Sequence, residues 1–192
     1  MIADLDDTIA ALLRGSLPAE LVKNLSISFA PPDDRFPPTG LKLPAVDFFL
    51  FLIEENRELR NREPTHERQE DGRVVQRPAP VRVDCHYLVT AFAESVQKPE
   101  EDEHRILGEV LRVLVRHRQI PREFLKGEMA IGQPPLRAAA ILPSPNHSPE
   151  LWQALKGRPR ASLHYVLTIS VETGLPIMTL PAVSQAIFGG TS

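Results

Sequence analysis

The sequence predicts an α+β (α/β) fold, with a single mixed β-sheet of about four to five strands flanked by helices. Three observations carry this. AVDFFLFLIEE, VRVDCHYLVT and ASLHYVLTISVE are strand-like apolar runs. EEDEHRILGEVLRVLVRH has one apolar face at helical spacing. Strands and helices then follow one another without the strict alternation of a doubly wound sheet.

In chain order, Ala3 to Leu13 reads as a helix: Leu5, Ile9, Leu12 and Leu13 recur at helical spacing, and Asp4, Asp6 and Asp7 sit where the helix dipole favours negative charge. Gly15 is its expected stop. Leu25 to Phe29 alternates as a short strand. A Pro-rich loop, APPDDRFPPTGLKLP, leads into AVDFFLFLIEE, whose two apolar faces suit a central strand covered on both sides; periodicity alone leaves a short buried helix open. From Glu54 to Pro80 the chain is charged and poor in apolar residues, with a turn signal at Asp71-Gly72. Either a projecting hairpin or a long loop fits.

VRVDCHYLVTAFA is the next strand. In it Val81, Val83, Cys85, Tyr87, Val89 and Ala91 take one face, and Arg82, Asp84, His86, Leu88, Thr90 and Phe92 the other. The following helix opens on Glu100 to Glu103 and closes on Arg116, His117 and Arg118, matching the dipole at both ends. Pro121 opens a short helical turn through Phe124, ending at Gly127. Leu136 to Leu142 is a weak strand. A helix runs from Ser148-Pro149-Glu150 through Leu155, with Ser as N-cap and Pro at the first position. The strand Leu163 to Val171 echoes the earlier one: His86, Tyr87, Thr90 and Glu94 reappear as His164, Tyr165, Thr168 and Glu172 at one constant offset. The two strands are expected to present the same faces, side by side in one sheet.

The chain of 192 residues is long enough for its own core. With 22 basic and 25 acidic residues it lacks the basic excess of a phosphate-gripping protein, so no nucleic acid is expected as partner. The longest apolar run, Phe48 to Ile53, is far below the roughly 20 residues of a membrane span. The acidic start is unlike a secretory signal, and a cytoplasmic protein without direct membrane insertion is expected. A single cysteine excludes an internal disulfide. The 19 prolines cluster between the elements, as in a compact core with several long loops. We divide the chain into a domain over 1–175, with the charged loop 54–80, and a C-terminal tail or arm over 176–192.

On a strand Cys85 and His86 point to opposite faces and share no proton, so the thiol reads as core. His86, His164 and His104 form a conceivable metal trio, but no HExxH or close carboxylate pair accompanies them. Histidines hydrogen-bonded on a half-exposed or helix-covered sheet face are the alternative. Arg105, Arg112 and Arg116 share one helix side, as a solvated face or as a contact stripe for an acidic partner, with Glu109 within reach of Arg112. Asp33-Asp34 and Glu54-Glu55 read as solvent-facing. No catalytic residue, metal or cofactor is assigned.

Four phrases, PAVDFFLFLIEENRELRNRE, PVRVDCHYLVTAFA, EHRILGEVLRVLVRHRQIPREFL and PELWQALKGRPRASLHYVLTISVE, occur together in one order. In this the chain resembles the cap, or tail-terminator, proteins of contractile phage-tail-like injection systems, of the Photorhabdus virulence cassette and antifeeding prophage type, in their N-terminal domain. The resemblance runs from Ile2 to about Glu172. It implies a tail-terminator-like fold and a non-enzymatic role: a six-fold homohexameric ring that caps the distal end of the inner tube, stops its growth and anchors the last sheath layer. The implied partners are the inner tube protein and the contractile sheath protein, with the chain ending in the assembled particle. Contact residues are expected in the charged loop (Arg57, Arg60, Arg62), on the helix stripe (Arg105, Arg112, Arg116) and in the tail TLPAVSQAIF (Leu180, Val183, Ile187). A small metal-dependent enzyme or binding domain using the three histidines, and another phage-derived connector, are the alternative functions.

Overall fold

The computed structural model of the chain describes residues 1–61, 63–131, 135–140, 149–172, 174 and 178–180. It resolves into two compact units, one of residues 1–54 and 84–169, the other of 55–83 and 170–192.

The first unit is built on a five-stranded sheet in the order β1-β2-β5-β7-β6. Its strands are β1 (Ser26–Ser28), β2 (Ala45–Glu55), β5 (Val81–Phe92), β6 (Arg137–Ala140) and β7 (Ser162–Val171). β1 runs parallel to β2 and β6 antiparallel to β7, so the sheet is mixed as the sequence predicts. The echo strands β5 and β7 are neighbours.

The helix α1 (Ile2–Ser16) continues past the expected stop at Gly15. It buries Leu5, Ile9, Leu12 and Leu13, the residues picked out by periodicity. The Tyr87 hydroxyl donates to Asp6 Oδ1 at 2.9 Å and ties the sheet to this helix. Phe48 meets Tyr87 and Tyr165 edge-on, with ring centroids 6.4 and 6.2 Å apart, and completes that side of the core. α3 (Pro99–Arg116) buries Ile106, Leu107, Val110, Val113 and Leu114. On the other sheet face Phe36, from the Pro-rich loop, stacks on Phe92 at 3.8 Å, and Arg160 lies over the same ring.

The expected two-sided cover of β2 holds only for its first part. Ala45 to Phe48 are buried, Phe49 to Leu52 half-buried, and Ile53 is 47% exposed. β1 pairs with the same first part, Ala45, Val46 and Asp47. Periodicity gave no sign of α2 (Ala19–Val22) or of a 3-10 turn at Gly127–Ala130, whereas the turn Arg122–Phe124 stands where Pro121 places it. α4 (Pro149–Leu155) follows its sequence signals, its expected cap Ser148 lying outside the described residues.

The second unit carries a three-stranded sheet in the order β3-β4-β8, formed by β3 (Thr65–Arg68), β4 (Val74–Arg77) and β8 (Met178–Leu180). The Asp71-Gly72 signal marks a real hairpin: β3 and β4 pair antiparallel, and Gly72 has φ +82°, a conformation that glycine adopts without strain. β8 adds antiparallel to β4, with Leu180 opposite Val74. The expected single sheet is thus joined by a small second one.

Candidate functional site

Cys85 and His86 do not form a nucleophilic pair. Cys85 is fully buried, and burial with the nearby Asp84 and Asp6 charges pushes its thiol up to about 11, the opposite of what a reactive thiolate needs. His86 is buried on the other sheet face, not half-exposed, and its Nδ1 lies 2.9 Å from Nε2 of His164. The two rings stack with centroids 5.1 Å apart. Phe51 packs on both, at 6.1 and 5.5 Å. Only one of the two facing nitrogens carries the shared proton, so one ring donates and the other accepts. His86 Nε2 also lies 3.2 Å from Glu54 Oε1 without completing a hydrogen bond. Glu54 is therefore drawn to the histidine pair, although it stays exposed as the sequence predicts. His104 is exposed on α3, and among the described residues no group of three or more His, Cys, Asp or Glu is placed to hold a metal ion.

Asp84 accepts from the Thr168 hydroxyl at 2.6 Å, a second polar tie between the echo strands. Sequence reasoning missed Asp47. By strand alternation it shares the histidine side of the sheet with Phe51. It is fully buried, and neither carboxylate oxygen completes a hydrogen bond. Burial pushes its carboxyl up to about 7, while the Ser28 hydroxyl and the Ala30 N–H, which approach without completing bonds, pull weakly downward. The signal was a lone acid inside an apolar strand, read there only for its apolar neighbours.

The charged candidates are surface groups. Arg57 and Arg60 are exposed, and Arg60 is paired with Glu55. On α3, Arg105 pairs with Asp102 at 3.2 Å and Arg112 with Glu109, while Arg116 stands exposed near the C-terminal end. Leu180 takes part in β8 through its backbone. Arg62, Val183 and Ile187 lie outside the described residues. A hollow of about 500 Å³ is lined by Leu21, Pro44, Glu94, Asp102, Arg105 and Ile106, and another of about 380 Å³ by Leu114, Val115, Arg118 and Ala138 to Ala140. What the described residues offer is a well-filled core, buried polar ties and charged outer surfaces. No helix among them is long and apolar enough to cross a membrane.

A mixed five-stranded sheet with flanking helices makes this an α+β domain, and its fold is similar to that of a tube terminator. Over residues 4–184 the chain matches the Pvc16 N-terminal domain, and it belongs to that family. Among solved structures it is similar to a sheath/tube terminator of the extracellular contractile injection system PVC, in the extended state. That match has 26% identity and a TM-score of 0.68, and covers 100% of this chain and 65% of the other. The tube-terminating cap of the anti-feeding prophage shares the fold, at 23% identity and a TM-score of 0.67, over 98% of this chain and 62% of that one. The chain thus spans a little under two thirds of the solved chains that it matches. Comparison with curated proteins finds no match.

Proposed function

We propose that the chain is a non-enzymatic assembly protein that caps the distal end of the inner tube of a contractile injection system and anchors the last sheath layer, so ending tube and sheath growth. The observation that carries this is the whole-chain similarity to a sheath/tube terminator at 26% identity. The chemistry supports it. Cys85 is buried with its thiol pushed up, and the two buried histidines bond each other.

In this reading the chain works as a homohexameric ring within the assembled particle, with the inner tube protein and the sheath protein as partners. A ring of identical subunits needs head-to-tail contacts, in which two different surface patches match. The sheath is reached by strand addition, a binding mode in which a peptide pairs with an open sheet edge. β8 stands at an edge of its sheet and begins the segment Thr179 to Phe188, which together with the charged loop 54–80 is the candidate arm. Arg57, Arg60, Arg62, Leu180, Val183 and Ile187 belong to those two segments.

Co-purification tests the reading. The chain is expected to retain both the tube and the sheath protein when the three are expressed together. Recovery of the chain free of both would contradict the proposal.

A further inference from the structure

The two ends of α3 carry complementary surfaces. The helix has 18 residues, so its ends lie about 27 Å apart at 1.5 Å per residue. Just before it, Val96 is 94% exposed, an unusual position for an aliphatic side chain. Glu94 and Glu100 flank it, both exposed and, among the described residues, without an ion-pair partner. At the far end Val115 is 42% exposed and borders the hollow of about 380 Å³ whose floor is Leu114 and Ala138 to Ala140. Arg118 lines that hollow. Arg116 precedes it on the helix, and Arg137 enters β6 beside it through its bridge to Gln119. All three arginines are exposed, again without an acidic partner among the described residues.

The helix dipole accounts for the signs, acidic first and basic last. It does not account for two valines standing in water, or for unpaired charges around each. An exposed valine flanked in the chain by Glu94 and Glu100, with Lys98 between them already paired to Glu101, and a largely apolar hollow lined by Arg118, with Arg116 and Arg137 close to it in the chain, are complementary in charge. Because they are different patches of one chain, each copy offers both, and the contact that they make is heterologous.

We propose that these patches join copies of this chain head to tail, with Val96 of one copy seated in the hollow of the next, Glu94 and Glu100 facing Arg116, Arg118 and Arg137. The occupant is a second copy because the chain itself supplies the matching surface. The proposal deepens the capping reading and rests on it only for the closure of the contact into a ring.

Two charge-reversed variants test it, Glu94→Arg with Glu100→Arg, and Arg116→Glu with Arg118→Glu. All four side chains are exposed, so both variants are expected to fold with unchanged circular dichroism. By sedimentation velocity the wild-type chain self-associates at low salt and less so at high salt, and each variant alone associates about tenfold more weakly or not at all. An equimolar mixture of the two regains association, because every contact in an alternating array again joins opposite charges. A monomeric wild type, variants that associate like the wild type, or a mixture that fails to recover would each overturn the proposal. Binding of the wild-type chain to purified tubes, measured beside these, separates the two ideas: binding with no effect of the reversals leaves capping standing and removes this contact.

Discussion

His86 and His164 meet ring to ring inside the sheet, Nδ1 to Nε2 at 2.9 Å, from strands that lie side by side. The contact makes each imidazole the other's partner. Removing one leaves a buried polar atom without a bond, which costs about 1–3 kcal/mol. His86→Ala and His164→Ala are therefore each expected to lower stability by that amount in denaturant melts, and the double variant by less than the sum. Additive losses would mean that the rings are not coupled. Neither variant is expected to change the metal content of the purified protein. Stoichiometric metal lost in both would restore the metal reading.

Asp47 makes stability depend on pH. Burial pushes its carboxyl up to about 7 in the fold, from an ordinary value of 3.8. Below the lower value the folded and unfolded chains both hold the proton, and Asp47 costs nothing. As pH rises from about 4 to about 7 the unfolded chain gives up its proton first, so stability falls, and it levels off above 7. At about 1.4 kcal/mol for each tenfold change in proton affinity, the loss is on the order of 4 kcal/mol. Asp47→Asn is expected to flatten this part of the profile and to be more stable than the wild type at pH 8. Equal slopes for both proteins between pH 4 and 7 would show that the carboxylate is solvated.

Cys85 is expected to resist thiol reagents in the native protein at pH 8 and to react at the rate of unfolding. Its thiol is buried and held near 11. Rapid modification of the folded chain by a disulfide reagent would contradict this.

Two glycines are expected to answer oppositely to alanine. Gly127 has φ +50°, and a Cβ there would collide with the Asp4 carboxylate, which also accepts the Glu128 N–H. Gly127→Ala is expected to cost about 1–3 kcal/mol. Gly108 sits within α3 with open space where a Cβ would go, and Gly108→Ala is expected to add about 0.5–1 kcal/mol. Thermal melts that move both variants in one direction would refute the account of these positions.

Much of the fold was legible because local periodicity and chemistry agreed. α3 shows an apolar face with acidic and basic ends, the hairpin at Gly72 announces itself by Asp-Gly, and the repeat of His-Tyr in β5 and β7 pointed to adjacent strands. What was hidden is long-range. Nothing near Met178 tells that it pairs with Gln76, since that pairing is set by tertiary contacts. The burial of Asp47 depends on β1 and on what lies over the sheet face, not on its neighbours in the chain. For the site, the sequence predicted separate arginine groups; the complementary ends of α3 became visible only once Val96 and Ala138 to Ala140 had been placed in space.

Deleting Thr179 to Ser192 removes most of β8 and the segment after it. Weaker sheath attachment is expected, read as particles with loose or shortened sheaths in electron micrographs. Normal sheath length in that variant would remove the tail from the account.

Imaging of particle ends tests the central claim most directly. When injection particles are assembled without this chain and examined by negative-stain electron microscopy, the capping account predicts over-long or ragged tubes without terminal density, restored by the intact chain. Particles of normal, uniform length with closed ends would contradict it.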